Sequence, residues 1–225
     1  SVSIQQSLTR NSLDNPRFPR SGSRVRLSVE VAPPVGDFEQ YHKWKLKTDW
    51  NVPLGEHFSF GVGSNFGYIG TISGEPVSFE RFEVGGTAFD YQGRNFGTDP
   101  IFMRGYPRGV IGPKVQSRNG LEPRGSRILN KYTSELRWMA VQSKQLQARP
   151  YLYLDAVGAW GSFDTYTPSN LYRSAGFGVK LFLPIVGMLE FNYGYNFDRY
   201  TPLDGTATEG APGWTFQFSL GQGMR

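Results

Sequence analysis

The sequence predicts an all-β protein, an antiparallel transmembrane β-barrel of about eight to nine strands, and three observations carry that expectation. Apolar and polar residues alternate with period two in segments close to the ~9–11 residues that cross a bilayer as a tilted strand. Short and long connections alternate between those segments, as in outer-membrane barrels. The apolar content is 38% of 225 residues, yet 15% is aromatic and there are 28 glycines, a composition weighted to β-formers rather than to the Leu and Ala of helical proteins.

No run approaches the roughly 18 consecutive apolar residues of a spanning helix. The mean hydropathy of -0.42 is compatible with a barrel, because only every second strand residue meets lipid. Composition changes nowhere abruptly, so residues 1–225 read as one domain. Ser1-Val2-Ser3 carries neither an initiator Met nor a signal peptide and reads as the middle of a longer chain, so a fragment is expected. The absence of cysteine removes disulfides and thiolate metal sites.

Taken in order, residues 2–10 are the weakest candidate strand. In residues 24–31, Val25, Leu27, Val29 and Val31 oppose Arg24, Arg26, Ser28 and Glu30; residues 41–50 repeat the pattern with Trp44, Leu46 and Trp50 opposite Lys43, Lys45, Lys47 and Asp49. Phe58, Phe60, Val62, Phe66 and Tyr68 form one side of the next segment. Its other side, Ser59, Gly61, Gly63, Asn65 and Gly67, is small enough for something bulky to lie against it. Residues 132–141, 151–160, 171–183, 189–197 and 214–220 complete the set. Between them lie a medium loop at Gly36, short turns at Pro53-Leu54-Gly55, residues 143–147 and residues 184–187, longer loops at 163–169 and 198–212, and one very long loop at about 71–126.

A net charge of +5 raises the question of nucleic acid, but alternation gathers the lysines on one strand face, which reads as the polar wall of a barrel. That wall also admits a passive channel, against which the long loop argues. A hydrolase would have to use Glu135 and Asp155 or the histidines His42 and His57; no nucleophile with base and orienter emerges. Gly61-Val62-Gly63 lacks the spacing and following helix of a dinucleotide fingerprint. No catalytic residue, metal site or cofactor is expected.

The long loop carries Phe79-Glu80-Arg81-Phe82-Glu83-Val84-Gly85-Gly86, then Met103-Arg104-Gly105-Tyr106 and Ile111-Gly112-Pro113. Here the chain resembles the C-terminal barrel of the BamA-like outer-membrane-protein assembly factors and their secretion relatives, in which an aromatic stretch ending in Gly-Gly leads to a hydrophobic-Arg-Gly-Phe/Tyr motif and Ile-Gly-Pro. Residues 14–25, Ser134-Glu135-Leu136, Tyr153-Leu154-Asp155 and residues 214–221 extend the likeness over nearly the whole chain. The ending Gly221-Gln222-Gly223-Met224-Arg225 departs from the aromatic terminus of many outer-membrane strands. The family's upstream strands and periplasmic POTRA domains have no counterpart here.

The resemblance implies a loop that folds back into the lumen, residence in a Gram-negative-type outer membrane, and a non-enzymatic insertase that handles unfolded outer-membrane proteins among lipids and other assembly-complex subunits. A polypeptide-secretion pore is the family's alternative. Trp214, Phe216, Phe218 and Leu220 would form the C-terminal signal and one side of a seam. By alternation Glu135 and Asp155 face the lumen from adjacent strands, so a returning loop would place Arg104 between them, a guanidinium fork matching carboxylates. The plainer reading is a solvated loop arginine. Gly105 would permit close approach to the wall, with Gly61, Gly63 and Gly67 as its accommodating face.

Overall fold

The computed structural model describes residues 2–34, 40–72, 79–91, 98–118, 120–143, 145–203 and 210–221. Gly36 and residues 222–225 lie outside them. The strands are β1 (Ile4–Asn11), β2 (Gly22–Ala32), β3 (Tyr41–Leu54) and β4 (Phe58–Thr71), followed in the long excursion by the short β5 (Arg81–Val84), β6 (Thr98–Ile101), β7 (Lys114–Ser117) and β8 (Gly120–Pro123). Then come β9 (Ile128–Trp138), the two-residue β10 (Val141–Gln142), β11 (Gln147–Trp160), β12 (Tyr172–Leu183), β13 (Gly187–Asn196) and β14 (Gly213–Leu220). Nine of them form one antiparallel path, β1-β2-β3-β4-β9-β11-β12-β13-β14, with β10 appended to β11. The sheet is open among the described residues: β1 and β14 are its edges, as in part of a barrel.

The burial of side chains is inside out relative to a soluble domain. Trp44, Trp50, Leu152, Leu154, Phe177 and Phe216 are exposed, whereas Lys43, Asp49, Lys131, Glu135, Asp155 and Glu190 are buried. A sheet in water would reverse this, because an exposed apolar face that large marks a surface awaiting another apolar phase. Cross-strand aromatic pairs knit the outer face; Tyr193 and Trp214 stack at 4.8 Å with planes 9° apart.

Two strands begin earlier than the sequence reading has them. β9 begins at Ile128 and not near residue 132, and β11 at Gln147 and not at residue 151. Leu129 and Val157 face inward yet are apolar and buried, because the loop packs an apolar cluster on them (Phe82, Val84, Ile101, Met103, Tyr106, Ile111), and the alternation there vanishes. Pro150 pairs with Val179 of β12 one residue before the pairing with β9 starts at Tyr151, where a missing N–H is tolerated. Val141 belongs to β10 rather than β9. Pro53 and Leu54 are likewise strand, paired with Ser59 and Phe58. The turn proper falls at residues 55–57, where Gly55 takes a φ of +69° that suits glycine.

The long excursion, residues 72–127, folds back over the inner face. β5 runs parallel to β6, and bridges Phe82 to Ser126, Val84 to Ile111 and Gly86 to Met103 gather it into a tongue. The bulky object on the small-residue wall is Phe82: a Cβ at Gly67 would stand 2.5 Å from its ring. The Arg137 guanidinium occupies the space before Gly61, 2.7 Å from a Cβ there.

A β-dominated circular-dichroism spectrum and heat-modifiable gel migration are expected in detergent; a helical spectrum from a folded, monodisperse sample would sink the fold. Leu46→Arg or Phe191→Arg should destabilise the chain by roughly 2–4 kcal/mol in a bilayer. Lys45→Gln, which gives up a half-exposed ion pair, should cost no more than ~1 kcal/mol. Equal losses in denaturant titrations would mean the faces are misassigned.

Candidate functional site: the loop tip against the inner wall

Two glycines let the tongue reverse. Gly85 and Gly86 have φ of +113° and +68°, and a Cβ on Gly85 would lie 2.1 Å from the Pro107 carbonyl oxygen. The chain thus crosses itself closely, with Gly86 N–H donating to Tyr106 O at 2.9 Å and Gly109 N–H to Val84 O at 2.9 Å. The tip, residues 103–106, is thereby pushed into the wall of β9, β11 and β12. Met103, Arg104 and Tyr106 are each 0% exposed.

Arg104 meets two carboxylates there. Its Nε and Nη2 donate to Oδ2 and Oδ1 of Asp155, both at 2.7 Å, and Nη1 donates to Glu135 Oε1 at 2.5 Å. The register explains the convergence: Tyr153 pairs with Glu135, and Asp155 pairs with Thr133 two rungs on, so both carboxylates point to the same face of adjacent strands. The guanidinium also lies 3.9 Å from the centroid of the Tyr153 ring. Burial by itself works against the charge, but Asp155 and Glu135 outweigh it and raise the guanidinium pKa above the ordinary arginine value.

Glu135 is shared further. Its Oε2 accepts from Arg137 Nε at 2.7 Å, and Lys180 Nζ stands 3.2 Å from Oε1 and 3.7 Å from Glu190 Oε1. Tyr151 OH donates to the same Glu190 oxygen at 2.7 Å. Arg104, Arg137 and Lys180 therefore face Glu135, Asp155 and Glu190, three charges of each sign.

Gly105 adopts φ +81° and lies against Gly194 and Ser174, not against Gly61, Gly63 and Gly67 as its sequence context suggested; a Cβ on Gly194 would stand 3.2 Å from the Gly105 Cα. Gln217 of β14, which sequence reasoning passed over, holds this segment. Its Oε1 accepts from Gly105 N–H at 2.8 Å, and its Nε2 donates to Tyr106 O at 3.1 Å and Met103 O at 3.4 Å. Its one signal was its inward phase among Trp214, Phe216, Phe218 and Leu220, which all lie on the outer side of β14. Tyr106 OH donates to Arg173 O at 2.9 Å. Farther along the loop, Asp99 accepts from Lys45 at 2.9 Å and stands 3.1 Å from Lys43, which also reaches Glu80 at 3.2 Å.

The hydrolase candidates do not assemble into a site. Glu135 and Asp155 are committed to Arg104, His42 Nδ1 accepts from Trp44 Nε1 at 3.0 Å on the outer face, and His57 sits in the turn after β3. Among the described residues no group of three or more His, Asp or Glu is placed to hold a metal.

The Omp85 superfamily domain matches residues 1–224. The chain is 25% identical over 240 residues to the outer membrane protein assembly factor BamA of Neisseria meningitidis serogroup B, a match covering 94% of this chain and 27% of that protein. It superposes on the crystal structure of BamA from Haemophilus ducreyi lacking POTRA domains 1-3 with a TM-score of 0.72 and 20% identity, covering 96% of this chain and 41% of the other. The chain thus spans about a quarter of the length of its Neisseria relative. Its apolar girdle and these likenesses place it in the outer membrane of a Gram-negative-type bacterium, and it belongs to the Omp85 superfamily.

Proposed function

We propose that this chain is the barrel portion of a non-enzymatic insertase that folds and inserts β-barrel proteins into the outer membrane. One observation carries the reading: β14 has β13 as its sole partner strand among the described residues, and its inward Gln217 grips the loop tip. A strand edge that pairs poorly in hydrocarbon is costly, so β14 would serve as a template for an incoming strand wherever its second neighbour in a longer protein pairs weakly, with main-chain hydrogen bonds giving the recognition. Trp214, Phe216 and Leu220 are exposed along that edge and Phe218 stacks on the loop's Phe89 at 5.3 Å, while Arg104, Glu135, Asp155 and Gln217 hold the loop against its inner side. The partners are unfolded outer-membrane proteins, lipids and, in a longer protein, other assembly subunits. A passive channel fits poorly, because Lys43 and Lys45 are ion-paired to the loop's Glu80 and Asp99 instead of lining open water.

The test is folding of a urea-denatured outer-membrane barrel added to vesicles with and without the protein. Faster acquisition of heat-modifiable substrate is expected with it; equal rates would overturn the insertase reading, and passage of a passenger polypeptide without insertion would assign the protein to secretion.

Loop anchoring has its own test. Arg104→Ala takes the bidentate guanidinium from buried Asp155 and leaves Glu135 to Arg137 and Lys180, and it should cost roughly 3–5 kcal/mol, well above a surface pair. Cleavage within residues 86–125 should rise, and the double change with Asp155→Ala should cost less than the single losses summed. Additive losses would refute the coupling.

The loop should also respond to acid. Burial of Asp99 favours its neutral form, but Lys43 and Lys45 outweigh this and hold its pKa below the ordinary value. Since the folded pKa is the lower one, its contribution is full above the ordinary value of about 3.9 and is lost as pH falls through the folded pKa. Protease sensitivity of the loop should therefore rise only below about pH 4, whereas Asp99→Asn should show it at neutral pH; a loop loosening between pH 5 and 7 in the unaltered protein would contradict the assignment.

A further inference from the structure

At the short-turn end of the sheet, away from the loop tip, lies a cavity of about 290 Å³ roofed by the connection between β1 and β2. Six cationic side chains line it, Arg17, Arg24, Lys47, Arg137, Arg149 and Lys180, against one carboxylate, Asp49. Asp49 is taken by Arg24 at 2.8 Å, and Glu135, just beyond the lining, is divided among Arg137, Lys180 and Arg104. With Glu190, 3.7 Å from Lys180, three carboxylates stand against the six lining cations, which still leaves a surplus of positive charge.

Arg149 is one of the lining cations and is 5% exposed. Its Nη1 donates to Phe18 O at 2.9 Å and its guanidinium lies 4.4 Å from the Phe18 ring, but its buried Nε has no hydrogen-bond partner among the described residues. The roof is built rather than draped. Arg20 Nη2 donates to Gly55 O and Glu56 O at 2.9 and 2.7 Å, Asp14 Oδ1 accepts from the N–H of Arg20 and Ser21, and Phe18 is 4% exposed beneath it. An arginine buried with a donor unspent, among like charges, is costly unless an anion is present.

The geometry points to a binding site for a phosphate group, centred on Arg149 and flanked by Lys47, Arg137 and Lys180. A phosphate brings between one and two negative charges and several strong acceptors, matching guanidinium forks and ammonium donors together. A bounded chamber with a pinned roof suits so compact an anion; an acidic polypeptide would need an open groove in which to continue.

Phosphorus NMR of inorganic phosphate, titrated with the folded protein in zwitterionic detergent at low ionic strength, tests this. Saturable line broadening is expected, weakened roughly tenfold or more in Arg149→Gln, as loss of one charge-assisted hydrogen bond implies, and unchanged in Arg26→Gln, outside the cavity. Should Arg149→Gln lose heat-modifiable folding, Lys47→Gln is read instead with the same expectation. Short-chain phosphatidylglycerol supplies the second arm: tighter binding than inorganic phosphate assigns the site to a lipid headgroup, and equal or weaker binding to free phosphate. No saturable binding of either probe, equal binding in the Arg149 and Arg26 variants, or displacement by an acidic peptide more readily than by phosphate overturns the proposal.

Discussion

The placement of the long loop depends on one buried guanidinium. Arg104 has no exposed surface and sends three of its donors to two carboxylates that are equally dry. Such a cluster adds little net stability, because removing each ion from water costs several kcal/mol before any attraction is recovered. What it supplies is position. A loop shifted by one residue would bury Glu135 and Asp155 without the cation that, with Arg137 and Lys180, balances them, a state far costlier than the native one. Charge balance thus fixes the register of a segment that apolar packing alone would leave free to slide, while Phe82, Met103 and Tyr106 provide the burial that holds the tongue down, at roughly 1.5–3 kcal/mol for each large apolar side chain.

The strands satisfy two solvents at once. Outside, their aromatic and aliphatic residues meet lipid, and the backbone groups are consumed by neighbouring strands. Inside, the wall changes character along its length. Near the loop it is apolar, with Leu129 and Val157 under the tongue; in the middle it is ionic, around Glu135 and Asp155; toward the short turns it is cationic, around Arg149. The loop converts the first two zones from pore lining into packed interior.

That gradation explains what could be read from the sequence. The strands were legible where the inner face is polar, as with Lys43, Lys45 and Lys47 against Trp44 and Leu46, since alternation then follows the pleat. They were illegible at Ile128-Leu129, where inward and outward residues are both apolar for different reasons, although the equally apolar Val157 fell within a strand that could be read. The loop's approach to the wall was legible as the motif Met103-Arg104-Gly105-Tyr106, and the lumen phase of Glu135 and Asp155 followed from strand period alone. Which glycine meets Gly105 was not, because it depends on the reach of a loop across several strands: Gly194 of β13 is distant in sequence and lies in a strand whose other residues gave no hint of contact. Lys180 was invisible as a partner of Glu135 because it reaches across from β12, whereas Arg137, two residues on along β9, shares the face of Glu135 by strand period and went unremarked.

Gln217 shows why residue chemistry at the edge strand matters. The tip offers it an N–H from Gly105 and carbonyls from Met103 and Tyr106, a mixed set that only a side chain with both donor and acceptor can serve. A carboxylate would accept from Gly105 but repel the carbonyls; a lysine would serve the carbonyls and leave Gly105 unmet. The amide therefore ties β14 to both sides of Arg104 in the chain, one residue before it and two after. Because the backbone between Met103 and Tyr106 is short and Arg104 is locked to β9 and β11, any movement of β14 away from β13 must either break the Gln217 hydrogen bonds or pull on the guanidinium. The sheet edge and the ionic cluster are thus mechanically one unit, and the neutral residue is its weaker, reversible link.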